Sequence, residues 1–151
     1  PFVVWSTSGD VLRRIGDIAR GVSSSASRRK VIVCIGSPFI CNIREPDPSA
    51  PRSFENLWID TLTVAATANV AMYAIVPGRA PMRGGGLPEM TGGEVFTPSS
   101  DLGPFIDRIL RDASNHYLLG YWPADGAAHK LHRVEVKTSR RGARVHARRL
   151  R

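Results

Sequence analysis

The stretch Lys30–Gly36, Lys-Val-Ile-Val-Cys-Ile-Gly, limits the possible folds most. Five apolar residues in a row, four of them β-branched, stand between the basic triplet Arg28-Arg29-Lys30 and the break Gly36-Ser37-Pro38. The run is too short for a globular helix, and its composition is that of a strand. It lacks polar alternation, which predicts burial on both faces, as in a parallel sheet covered by helices. In such sheets ligands bind at the carboxyl ends of the strands. Gly36-Ser37-Pro38 is therefore the first place to look for a site.

A second run, Val70–Val76, ends in Pro77-Gly78 and predicts a second core strand. Between the two, Leu57, Thr61, Val64, Ala65 and Ala68 fall on one face of a helix expected near 54–68, with Ser53 as its cap. The two runs should be adjacent, parallel, central and buried, joined by a right-handed crossover. Upstream, Phe2–Trp5 reads as the end of a strand. Leu12, Ile15, Ala19 and Val22 mark a helix from about Gly9 to Gly21, with Arg13, Arg14, Asp17 and Arg20 opposite. Residues 38–51 read as a surface loop, as do 79–88. Glu94–Thr97 reads as a third strand. A last helix, capped by Ser100 or Asp101, carries Leu102, Phe105, Ile106, Ile109, Leu110 and Ala113 on one stripe, with Pro104 in its first turn. This alternation predicts an α/β fold with a mostly parallel sheet and helices on both faces.

From Tyr117 the period changes to two. Tyr117–Trp122, Leu131–Thr138 and Ala143–Leu150 predict three antiparallel strands, the last two joined by a hairpin turn at Ser139-Arg140-Arg141-Gly142. Two regions follow: an α/β domain over 1–116 and a small β extension over 117–151. The net charge of +8 is divided unevenly between them. Residues 1–116 hold 12 Lys/Arg against 11 Asp/Glu, and residues 117–151 hold 9 against 2. A partner argument from charge thus applies only to the extension.

The candidate sites are few. A phosphate loop has defined spacing, follows a strand and opens a helix with Lys-Ser/Thr or a later acid; Gly84-Gly85-Gly86 is followed by Leu87-Pro88, so it reads as a flexible turn. His129 and His132 fall on opposite faces of a strand, and His116 sits at a helix end. Ser23, Ser24, Ser25 and Ser37 lie in no nucleophile elbow. Asp10 and Asp17 read as a solvated helix face. Cys34 and Cys41 lack the His spacing of a zinc site; a disulfide between them is geometrically possible, and the sequence leaves it open. No catalytic, cofactor-binding or metal-binding residue is assigned. No apolar run approaches the roughly 20 residues of a membrane span. The first residue is Pro and no signal-peptide pattern follows, so the chain reads as a processed product or an excised fragment.

Several of these stretches resemble the later half of a von Willebrand factor A domain. Lys30–Gly36 resembles the strand that ends in that fold's Thr/Ser-Asp-Gly turn, and Asn69–Gly78 its next strand. Leu87-Pro-Glu-Met-Thr-Gly-Gly-Glu-Val-Phe96, with the helix at Leu102–Ala113, resembles its Thr-Gly-Gly element and final helix. Ser114–Pro123, Lys130–Thr138 and Gly142–Arg149 resemble the extension of bacterial von Willebrand factor A-related proteins. The resemblance covers most of residues 7–149. It implies a Rossmann-like fold lacking its first strands, a non-enzymatic protein-binding or adhesion role, and an extracytoplasmic location. The family's metal site needs Asp-x-Ser-x-Ser, which does not occur here. Ser6-Thr7-Ser8 supplies hydroxyls, but Val4 holds the Asp position, and the segment lies too close to the next strand. Ser37 stands where the family has a metal-linked Asp. The metal site is therefore expected to be degenerate or absent. The alternative function is binding of nucleic acid or an anionic surface through the basic extension. There Tyr117, Tyr121 and Trp122 could stack on bases or equally pack on the body.

Overall fold

The computed structural model describes residues 2–23, 28–77, 85–98, 101–115 and 137–139, and the side chains of 2–6, 38 and 39 lie outside that description. Within it, the fold is α/β with a three-stranded parallel sheet. The elements in order are α1 (Phe2–Gly21), β1 (Lys30–Ile35), α2 (Pro38–Cys41), α3 (Arg52–Thr67), β2 (Val70–Ile75), α4 (Leu87–Met90), β3 (Val95–Phe96) and α5 (Gly103–Ser114). The strand order is β1-β2-β3.

β1 and β2 pair in parallel from Lys30 opposite Val70 to Ile35 opposite Ile75, as the two apolar runs predict. Residues of alternating parity then face opposite layers. Ile32, Cys34, Val70 and Met72 point to the face covered by α1 and α3, where Leu12, Ile15, Phe54, Trp58 and Leu62 complete the main core. Val31, Ala71, Tyr73, Ile75 and Phe96 point to the other face, where Ile109 and Phe105 of α5 pack. Phe96 lies between two rings, 6.2 Å from Tyr73 and 4.9 Å from Phe105. Helices thus lie on both faces, α1, α3 and the short α4 on one and α5 on the other.

Several expectations are corrected. Phe2–Trp5 is not a strand end but the start of α1, which runs without a break through Ser6–Ser8. No Pro or Gly interrupts residues 2–8, so nothing stops helical propagation toward the amino end. α3 is not capped by Ser53; Pro51 precedes its first turn, with no side-chain cap. Its inner face includes Phe54, Trp58 and Leu62 in addition to the expected Thr61 and Ala65. Residues 38–51 are not wholly loop, since α2 lies within them. Nor is Asp101 the cap of α5, whose N-cap is Leu102 without a side-chain bond, although the Asp101 carboxylate accepts the Gly103 N–H at 2.8 Å.

The largest correction concerns β1. Among the described residues it is not central, and it is not buried on both faces. Among the described residues it pairs only with β2, and Val33 and Ile35 are 38% and 60% exposed. β2, by contrast, is buried along its whole length. The α5 stripe is also narrower than expected: Ile109 is buried, while Leu102, Ile106 and Leu110 are exposed. The predicted strands of the extension, its hairpin turn and the four histidines lie outside the described residues, apart from Lys137–Ser139, which are exposed and outside regular structure.

Candidate functional site

The carboxyl edge of the sheet is built first by backbone. Gly36 N–H donates to Ile75 O at 3.0 Å and ends the β1–β2 ladder. The chain then turns at Ser37, whose carbonyl accepts the N–H groups of Ile40 and Cys41 and so starts α2. Cys34 and Cys41 form a disulfide, which ties α2 to the end of β1, with Cys41 fully buried. Ser37 is exposed. Among the described residues no group of three or more His, Cys, Asp or Glu gathers in a way that could hold a metal ion. The edge therefore presents a neutral turn around a disulfide.

The Leu87–Phe96 segment has a structural logic of its own. β2 turns the N–H groups of Met72, Ala74 and Val76 toward β3. Ala74 donates to Glu94 O at 3.0 Å and Val76 to Phe96 O at 2.8 Å. Below the start of β3 no strand remains, and Met72 N–H donates instead to the Thr91 hydroxyl at 2.9 Å. That hydroxyl lies 3.0 Å from the carbonyls of Leu87 and Pro88 and donates to them. Thr91 thus extends the ladder by one rung with a side chain. Gly92 follows with φ +84°, and a Cβ on Gly93 would stand 1.8 Å from Met72 O. The Met-Thr-Gly-Gly sequence is accordingly a device for bringing a turn against a buried strand, with no ligand required. Gly86 is similar, since a Cβ there would strike Asn42. This accounts for the glycines at 85 and 86 without a phosphate.

Polar contact between β2 and α5 comes from Tyr73, whose hydroxyl donates to Asp112 at 3.3 Å. Burial raises the Tyr73 phenol above its ordinary value, the Asp112 carboxylate raises it further, and Arg29 opposes both. Arg29 also donates to Gly92 O at 2.8 Å. These groups join β2, α5 and the segment before β1.

A shallow cleft of about 270 Å³ lies between α1 and α3. Arg20 spans it, pairing with Asp17 on its own helix and with Asp60 across it. Asp10 and Asp17 therefore behave as expected, as exposed members of helix-surface pairs. Exposed pairs of this kind contribute little, about 0.2–1 kcal/mol each.

What remains is an open apolar face on the α5 side of β1. Arg108 pairs with Glu94 and lies 5.5 Å from the Phe96 ring centre, so one flank of α5 is turned to β3. Ile106 and Leu110 lie about 200° round the helix from Arg108. They are exposed, as are Val33 and Ile35 on the same side of β1. On β1, the N–H groups of Lys30 and Gly36 reach β2. By the alternation of a parallel ladder, those of Val31, Val33 and Ile35 point away from it. The edge and the apolar face thus meet along one strand. The sequence marks this only weakly. An apolar stripe spanning Leu102, Phe105, Ile106, Ile109 and Leu110 is wider than one line of contact requires, and that excess width is the available signal.

Comparison with family models, with curated proteins and with solved structures yields no match to this chain.

Proposed function

We propose that the chain is a non-enzymatic protein-interaction domain of the von Willebrand factor A type. It represents the later, Rossmann-like half of that domain, with a basic extension after residue 116. The observation that carries the reading is the exposure of four large apolar residues, Val33 and Ile35 on β1 and Ile106 and Leu110 on α5. Contiguous exposed apolar surface is characteristic of sites where proteins meet. The parallel order β1-β2-β3, with α1 and α3 on one face and α5 on the other, supports the fold assignment. Ser37 at the strand edge offers a hydroxyl where a hard cation would need carboxylates, so binding proceeds without a metal. The Cys34–Cys41 disulfide supports an extracytoplasmic location, because such bonds persist in oxidising compartments. Among the described residues no helix is long and apolar enough to cross a membrane.

The test is affinity capture with the tagged chain and with an Ile35→Lys/Leu110→Lys variant, each checked for folding by circular dichroism. The reading requires that the wild type retain a defined protein at physiological salt and that the variant lose it. Equal retention by both overturns it. A 20-base-pair duplex supplies the competing arm. Micromolar, salt-sensitive duplex binding that disappears on reversing Arg140, Arg141 and Arg144 to Glu would move the function to the basic extension.

A further inference from the structure

The turn between α2 and α3 lies outside the interaction reading and carries chemistry of its own. Its sequence is Asp47-Pro48-Ser49-Ala50, with Asp and Pro in the first two positions, where such turns favour them. Ala50 N–H donates to the Asp47 carbonyl at 2.9 Å and closes the turn. The Asp47 carboxylate accepts the Ser49 N–H at 2.8 Å and also the Ser49 hydroxyl. Asp47, Pro48 and Ser49 are all exposed. The Ser49 groups hold the Asp47 carboxyl below its ordinary value, and no charged side chain among the described residues adds to this. The Asp47–Pro48 bond combines two features. Its nitrogen belongs to the proline ring and carries no hydrogen. Its carbonyl carbon lies within reach of the residue's own carboxyl through a small cyclic anhydride. Glu45–Pro46 and Ala50–Pro51 share the first feature but lack a carboxyl at that distance.

We propose that Asp47–Pro48 is a self-cleavage site, at which the chain cuts its own backbone once Asp47 is protonated. One oxygen of the neutral carboxyl attacks the Asp47 carbonyl carbon, and the carboxyl proton passes to the Pro48 nitrogen. The C–N bond breaks, Pro48 leaves as a secondary amine, and the new C–O bond closes a cyclic anhydride on Asp47. Water then opens the anhydride to the two carboxyls of a terminal Asp47. One water is consumed, and nothing is oxidised or reduced. During the attack negative charge gathers on the Asp47 carbonyl oxygen. Ala50 N–H already points at that oxygen and acts as a preorganised donor. Ser49 N–H holds the carboxyl within the turn, which lowers the entropy lost in reaching the carbonyl. Near neutral pH the Ser49 hydroxyl favours the ionised carboxyl, and the bond stays intact. The cut does not part the two pieces. β1 in the first remains paired with β2 in the second, and α1 remains packed on α3.

Incubation of the whole chain from about pH 3 to about pH 7, read by mass spectrometry, tests this. Pieces 1–47 and 48–151 are expected, forming faster as pH falls through the carboxylate range. Circular dichroism at each pH marks where the native fold persists. Within that range the folded chain should be cut about tenfold faster than the same chain unfolded in urea at the same pH, because unfolding removes the turn. Pro48→Ala keeps the carboxyl but replaces the ring nitrogen, and should slow cutting at least about tenfold. Ser49→Ala removes the hydroxyl that favours the ionised carboxyl, so its rate should begin to rise at a higher pH than that of the wild type. The cut chain should elute as one body on gel filtration and run as two pieces on a denaturing gel. Equal rates in the folded and unfolded chain overturn the inference, since the dipeptide alone would then account for the cut. Cleavage confined to conditions where the fold is lost overturns it too, as does a Ser49→Ala profile that does not shift.

Discussion

β1 and β2 are alike as short apolar runs in the sequence and opposites in burial. Each is a six-residue, mostly apolar strand, they pair with each other in register, and one helix joins them. Yet every residue of β2 is buried, while β1 alternates between half-buried and exposed. The difference lies in their neighbours. β2 has a strand on each side and helices on both faces, and even its last unpaired donor, Met72 N–H, is taken up by Thr91. Among the described residues β1 has β2 on one side only, and Val33 and Ile35 on its α5-side face are exposed. A run of Val and Ile specifies a strand; the number of elements packed around it decides whether that strand is core or surface.

The sharpest way to break the comparison is to cut side chains at matched positions. Met72 is fully buried among Leu12, Trp58 and Leu87. Met72→Ala should lower stability by about 2–5 kcal/mol through lost burial and a residual cavity. Urea unfolding would measure it. A loss below about 1 kcal/mol would mean that the core around β2 collapses to refill the space, and that its burial is less specific than the packing indicates.

The next effect lies at the end of β1. Replacing Cys34 and Cys41 together by Ala should cost about 2 kcal/mol, the value expected for closing so short a loop. The loss should be local. Amide exchange should quicken at Gly36–Cys41 and leave β2 nearly unchanged, since β2 is held on both sides. Uniform quickening through both strands would show that β1 and β2 open as one unit, and the contrast between them would lose its dynamic meaning.

The sequence shows the parallel β1–β2 pair, the intervening α3 and the short β3 clearly, because each depends on local periodicity and on runs between turn signals. It shows the burial of β1 poorly. Exposure of Val33 depends on what lies beside it, and nothing within Lys30–Ile35 reports that. Trp58 and Phe54 were missed as core residues because a helical face sought through Leu57 and Val64 is displaced by one residue from the true one. The amino end of α1 was misread for a related reason: Val3, Val4 and Trp5 favour strands locally, but continuity with the helix prevails over propensity. The open face was legible only as the excess width of the α5 stripe.

A smaller effect separates the two faces of β2 by pH. Tyr73 has a raised phenol, so its neutral form is favoured in the folded state. The sign follows directly. Below about pH 10 the phenol is neutral in both states and its contribution is constant. As pH rises past that value the unfolded phenol ionises first, and stability falls until the folded phenol ionises too. Tyr73→Phe should abolish this part of the alkaline loss, at a cost near neutral pH of about 1 kcal/mol for the bond to Asp112. Parallel stability–pH curves for both proteins between pH 9 and 11 would show that Tyr73 is not the group responsible.

The smallest expected effect is at Ile35, the most exposed residue of β1. Ile35→Thr keeps the β-branched side chain and hence the strand preference, and removes little buried apolar surface. In dilute solution it should change stability by no more than about 0.5 kcal/mol. The informative variable is the concentration of a captured partner. If that protein covers β1, Ile35 becomes buried on association, and the melting temperature of the wild type should rise with partner concentration more steeply than that of the variant. A cost well above 1 kcal/mol in the chain alone would place Ile35 in an interior that the single sheet does not provide. In that case β1 would be as enclosed as β2, and two apolar runs would share one environment after all.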